Sequence, residues 1–211
     1  MPLFPKPIRK RSLHPLLWSF STYFAEGFPY TIIRTISSVF FRDRGMSLRA
    51  IGLTSLYGLP WILKFLWSPQ VDEYSTKRTW LLINQGLLVM ALLAVALLSP
   101  LDQAPLLIAA LFFAASFVAA THDVAIDGFY MEALDEAGQA KFVGYRVMAY
   151  RIAMMTGTGV VTTIGTTRGW PLAFSCAALL FFGFFLFHFF YLPEFIPGSI
   201  GDFPCKTFNI V

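Results

Sequence analysis

Three stretches of about twenty residues leave this chain little choice of surroundings. Residues 79–99, 103–121 and 169–193 are almost wholly apolar, the last interrupted only by His188. A helix needs roughly 20 residues to cross a ~30 Å hydrocarbon core. Of the 211 residues 56% are apolar, 23 are Phe, and only 13% are charged. That charged share is about half of what a soluble domain carries, and the apolar surface exceeds what one soluble core could hide. A soluble enzyme, a disordered regulator and a disulfide-stapled secreted domain are all poor fits. The expectation is an all-α, polytopic membrane protein.

Three further runs are long enough to span but carry charge: 14–40 with Glu26 and Arg34, 50–67 with Lys64, and 142–165 with Arg146 and Arg151. The fourth run continues past Thr121 through Asp123 and Asp127 to about Met131. Six transmembrane helices are therefore expected, at about 14–40, 50–67, 79–99, 104–131, 142–165 and 169–192. A basic N-terminus, 1–13, precedes them and a tail, 193–211, follows. The tail reads as a cytoplasmic linker or as the aberrant end of a truncated gene.

Lys and Arg in the loops set orientation. With the N-terminus inside, the inner segments hold Lys6, Arg9, Lys10, Arg11, Lys77, Arg78, Lys141 and Lys206, and the outer loops hold Arg42, Arg44, Arg49 and Arg168. Eight against four predicts both termini in the cytoplasm. The cationic start resembles a signal peptide, but the apolar stretch after it is long and broken by Glu26, so it reads as an uncleaved first span. The net charge of +4 follows from these loops and calls for no nucleic acid. Cys176 and Cys205 suggest neither a disulfide nor a metal site, and no cofactor is expected.

An ionisable residue inside a span is costly and marks a candidate functional position. Glu26 lies about twelve residues into its run, roughly 18 Å deep at 1.5 Å per residue, near the midplane. Pro29 follows it and cannot donate a backbone hydrogen bond, and a loosened helix beside an acid is a way transporters build sites. Two readings of Glu26 stand: proton or solute contact, or an ion pair with Arg34 or another helix. Asp123 and Asp127 are four apart, hence about 40° apart around a helix, on a stripe with Ser116 and Tyr130. Arg146 and Arg151 enter the next span from the same side, so solute contact and an ion-pair cluster are both open; repulsion between the acids would suit proton coupling. Lys64 is placed to snorkel. His122 reads as a packing residue, His188 receives no role, and Gly157-Thr158-Gly159 reads as close helix packing.

An enzyme reading has one foothold. His122, Asp123, Asp127 and Gly128 could hold a divalent metal in an intramembrane transferase. The aspartates are one residue too far apart for the phosphatidyl-alcohol transferase motif, and no second carboxylate cluster supports the metal.

The residues also carry a resemblance. Tyr23-Phe24-Ala25-Glu26-Gly27-Phe28-Pro29 resembles the Phe-Ala-x-Gly-Leu-Pro stretch in span one of AmpG-type muropeptide permeases. Ile51-Gly52, Lys64-Phe65-Leu66-Trp67-Ser68-Pro69 with Asp72, and Thr79-Trp80-Leu81-Leu82 resemble that family's second span, following loop and third span. Asp123-Val124-Ala125-Ile126-Asp127 and Gly144-Tyr145-Arg146 resemble its paired-acid motif and the start of span five. The similarity covers about 14–192. Glu26 stands where those permeases carry a small residue, and Glu73 where they carry arginine, which leaves room for a different solute.

The resemblance implies a proton-coupled secondary transporter of the major facilitator superfamily, related to acetyl-coenzyme A transporters, that imports anhydromuramyl peptides across the bacterial inner membrane. It implies that Asp72 pairs with Lys77 or Arg78 near an inner gate. Family members have twelve spans in two six-helix halves; this chain corresponds to the N-terminal half. A second half or self-pairing is expected besides lipid, solute and protons as partners. The proton or solute pathway is expected at Glu26, Arg34, Asp123, Asp127 and Tyr130, and gate or ion-pair positions at Asp72, Lys77, Arg78, Arg146 and Arg151. The competing reading is a membrane assembly subunit whose buried charges only tie helices together.

Overall fold

Proline and small polar caps set where the helices begin. Pro15, Pro60, Pro69, Pro105 and Pro171 all sit in the first turn of a helical segment, where a missing N–H costs nothing. Ser47, Thr76 and Asp135 each accept a hydrogen bond from a first-turn N–H, satisfying donors that the helix leaves unpaired. The computed structural model describes residues 14–193, and among them these signals delimit six helical rods. The basic N-terminus and the tail from residue 194 lie outside the described residues.

Rod α1 runs over 15–43, as Pro15–Thr31, a π-helical Ile32–Ile36 and Ser37–Asp43. Pro29 is accommodated inside it, and the departure from α-geometry comes just after, at Ile32. Rod α2, over 48–73, is broken: α-helical Leu48–Gly52, Leu59–Leu63 and Ser68–Glu73 alternate with 3₁₀ segments at Leu53–Gly58 and Lys64–Leu66. Rods α3 (Lys77–Leu98), α4 (Pro105–Ala133) and α6 (Trp170–Tyr191) are uninterrupted. Rod α5, over 136–168, joins Glu136–Met155 to Thr162–Arg168 through a π-helical Thr156–Val161. It begins well before the apolar run at Phe142 because Asp135 caps Gly138 N–H at 2.9 Å.

Three rods, α3, α4 and α6, are long and apolar enough to cross a membrane. Residues such as Leu97, Leu106 and Leu179 stand exposed on their outer faces, as lipid-facing leucines do. Rod α1 packs chiefly against α5, while α3 lies between α4 and α6. Small residues permit the first pairing. A Cβ built on Gly27 would lie 2.9 Å from the Tyr150 carbonyl oxygen, and one on Gly157 would lie 2.9 Å from Thr31 Cγ2. Gly159, expected in the same contact, faces open space. It is two residues from Gly157 and so points to the other side of the helix.

The core between α1, α4 and α6 is aromatic. Phe28 stacks near Phe181 (6.4 Å between centroids), and Phe174 meets both Phe40 (5.6 Å) and Phe112 (6.0 Å). Edge and offset contacts of this kind add about 0.5–1.5 kcal/mol beyond burial. His188 lies in the same interior as a polar knot. Its Nε2 is 3.0 Å from Ser21 Oγ, and Gln85 Nε2 is 2.8 Å from its Nδ1. Ser21 already gives its proton to the Trp18 carbonyl, so His188 Nε2 donates and Nδ1 accepts. One imidazole thereby joins α1, α3 and α6.

Candidate functional site

The ionisable residues of four rods meet in one layer. Lys64, from the broken rod α2, forms an ion pair with Asp123 of α4. The Glu26 carboxyl of α1 lies against that of Asp123, and Glu26 Oε2 is buried without a hydrogen-bond partner among the described residues. One turn along α4, Asp127 Oδ1 accepts from Tyr23 Oη at 2.6 Å and from Arg146 Nη2 of α5 at 2.8 Å. The Arg146 guanidinium is stacked 4.2 Å from the Tyr23 ring and 4.8 Å from that of Tyr130. The layer thus reads Lys64, Asp123, Glu26, Asp127, Arg146 across α2, α4, α1 and α5.

Local sequence explains the convergence. Glu26 and Tyr23 are three apart, so they share the α1 face turned to α4. Asp123 and Asp127 share one α4 face in the same way. Lys64 opens a 3₁₀ turn immediately after Leu59–Leu63, and the tighter turn changes the direction of its side chain.

Several expectations are corrected here. Lys64 does not snorkel: Asp123 holds it within the bundle. Arg146 pairs with Asp127 alone of the two acids, because Asp123 is taken by Lys64. Arg151, expected in the same cluster, is exposed and makes no ion pair among the described residues. Residues five apart on a helix differ by about 140°, so Arg146 and Arg151 cannot face one carboxylate. Arg34 does not meet Glu26. Its Nη1 donates to the Ser55 carbonyl at 2.9 Å, and its guanidinium lies over Gly58 of α2.

Tyr130 is buried and its hydroxyl donates to the Gln139 carbonyl at 2.7 Å, tying α4 to the start of α5. Beside His122, neither of whose ring nitrogens finds a partner among the described residues, Asp123 begins the layer. Sequence reasoning missed Lys64 as a member and missed Tyr23 as the donor to Asp127.

A second charged group forms at the end where α2 passes into α3. Lys77 pairs with Asp72 and donates to the Val71 carbonyl at 2.9 Å. Its stem lies on Gly128 of α4, where an added Cβ would come 2.8 Å from Lys77 Cε. Among the described residues Arg78 pairs with no acid. It donates to the carbonyls of Leu192 (3.0 Å) and Phe189 (2.7 Å), at a helix C-terminus where a cation is favoured.

The family description Major Facilitator Superfamily matches residues 19–202. A protein named transporter AmpG 4 from Rickettsia felis is 28% identical over 166 residues, which is 74% of this chain and 40% of that protein. An uncharacterised protein of Haemophilus influenzae is 29% identical over 163 residues, 75% of this chain and 38% of its own length. The anhydromuropeptide permease of Escherichia coli K12 is 30% identical over 142 residues, 65% of this chain and 29% of the permease. The matches span two fifths or less of each relative's length. Apolar helices and a superfamily of transporters together make this an integral membrane protein of the permease kind. With a match across most of its length, laid over an all-helical bundle that carries charge in its interior, the chain belongs to the Major Facilitator Superfamily.

Proposed function

We propose that the chain is one six-helix half of a proton-coupled importer, with all six rods crossing the bacterial inner membrane and both ends in the cytoplasm. Its solute is a muropeptide or a related cell-wall turnover product; the E. coli relative named as an anhydromuropeptide permease supports that class. Alternating access rocks one half against another around a central site. This chain supplies one wall of that site, and a second six-helix half or a second copy supplies the other.

One observation carries the reading. The layer across α1, α2, α4 and α5 contains three carboxyls, Glu26, Asp123 and Asp127, but two cations, Lys64 and Arg146. Uncompensated charge in such a place is expensive, and one proton balances the sum. Glu26 is the carboxyl without a cation, so Glu26 takes the proton. Its release leaves a charge that a rearranged bundle or a bound solute relieves, which is the link that a symporter needs.

The test is uptake of labelled anhydromuramyl peptide into proteoliposomes that contain the chain with its second half. Glu26→Gln abolishes accumulation driven by an imposed proton gradient while solute counterflow persists. Unchanged accumulation makes Glu26 a structural residue. Concentrative uptake by a demonstrably monomeric preparation overturns the half-transporter reading.

A further inference from the structure

Beyond the charged layer, the same wall carries a second set of residues with a different chemistry. Tyr30 lies four residues on from Glu26, on the same side of α1, and Arg34 lies four further, within the π-helical segment. Trp61 precedes Lys64 by three on α2, and Tyr150 follows Arg146 by four on α5. The Tyr30 ring meets the Trp61 ring edge to face at 5.0 Å and lies 6.0 Å from the Tyr150 ring. All three are half-buried, so each keeps accessible surface.

Arg34, four residues on from Tyr30, sits in a seat shaped for it. A Cβ on Gly58 would lie 2.5 Å from Arg34 Nη1 and 2.7 Å from its Cζ; the guanidinium rests directly on the α2 backbone. Nη1 is anchored on the Ser55 carbonyl. Among the described residues no carboxylate pairs with Arg34. A guanidinium has five N–H donors in a rigid fork, and among the described residues a single one, on Nη1, has a protein acceptor. A cation held on Gly58, three residues before the Trp61 that meets Tyr30, and lacking an acid among the described residues, is arranged to receive an anion.

We infer that Tyr30, Trp61 and Tyr150 with Arg34 form a solute subsite for a ring-bearing organic carboxylate, its ring against the aromatic strip and its carboxylate on Arg34. The site rests on the transporter reading for its purpose, and on Gly58, Ser55 and the ring contacts for its geometry. Glu26 lies one turn from Tyr30 and two turns, about 12 Å, from Arg34, so a solute of that length spans the distance from the cation to the proton-handling layer.

The experiment is binding of glucuronate and glucose, one ring with and without a carboxylate, to the full chain in nanodiscs, read by saturation-transfer NMR. The intact chain binds glucuronate in preference to glucose. Arg34→Gln weakens glucuronate roughly 10- to 100-fold, as loss of a charge-assisted hydrogen bond does, and leaves glucose unchanged. Gly58→Ala reproduces that loss by displacing the guanidinium, and Trp61→Leu weakens both sugars. Equal binding of the two sugars, no binding of glucuronate, or a preference that survives Arg34→Gln overturns the subsite. Counterflow in the reunited transporter separates the two proposals: flux that persists in Arg34→Gln with unchanged half-saturation keeps the transporter and removes the subsite, whereas glucuronate binding without any flux does the reverse.

Discussion

Replacing Lys64 by Met tests whether the charged layer is coupled as the geometry describes. The Lys64 side chain is 34% exposed and that of Asp123 is 10% exposed. Removing one partner of a fully buried pair costs about 3–5 kcal/mol, because the remaining charge has lost its compensation. An exposed pair is worth ~0–1 kcal/mol. With the carboxylate nearly enclosed and the ammonium one-third open, Lys64→Met is expected to cost about 1–3 kcal/mol, between those bounds. The surviving Asp123 carboxylate then faces Glu26 with no cation beside it. Asp123→Asn removes that unpaired charge, so the double variant is expected to be less destabilised than the sum of the single variants by roughly 1 kcal/mol or more. Unfolding in mixed micelles with increasing SDS, followed by tryptophan fluorescence, gives all four corners of the cycle. A Lys64→Met cost within error of zero, or strict additivity in the double variant, refutes the coupling.

Two further substitutions probe the scaffold by the same unfolding assay. Gly27→Ala inserts a methyl 2.9 Å from the Tyr150 carbonyl oxygen and is expected to cost about 1–3 kcal/mol by overpacking, whereas Gly144→Ala, which meets nothing within 4 Å, is near neutral or slightly stabilising; equal effects would sink the close-packing account. His188→Phe leaves the Gln85 amide buried without its imidazole and is expected to cost about 1–3 kcal/mol, part of which a second change, Gln85→Leu, recovers; no recovery would mean that shape rather than hydrogen bonding holds the knot.

The all-helical character of the chain was legible because a twenty-residue apolar run has few other solutions in lipid. The acids Glu26, Asp123 and Asp127 announced themselves as charges in apolar surroundings. Their partners did not, for reasons that differ. Lys64 pairs with a residue 59 positions away, and its direction depends on alternating α and 3₁₀ turns that no single period describes. Arg151 could have been separated from Arg146 by helical angle alone. His188 is flanked by phenylalanines on its own helix, and its partners, Ser21 and Gln85, come from two other rods. A signal was present all the same: Asn84 and Gln85 interrupt an otherwise apolar run, and an amide in such a span needs a neighbour to satisfy it.

The two π-helical segments have a bearing on how the wall is aimed. An α-helix turns by about 100° per residue, and a π turn takes up one extra residue, so each segment resets the angular phase of everything beyond it. Ile32–Ile36 and Thr156–Val161 touch each other, which puts the reset of α1 beside that of α5. The contact face stays matched, with Gly27 and Gly157 both on it. Arg34 lies inside the first of these segments, so its bearing toward Gly58 is set by the phase shift rather than by the helix below. The pair acts as a double splice: a one-residue deletion inside a segment is absorbed as its turn reverts to α geometry, whereas the same deletion in the α-helical part between Gly27 and Thr31 turns the far half of the rod against its neighbour by about 100°.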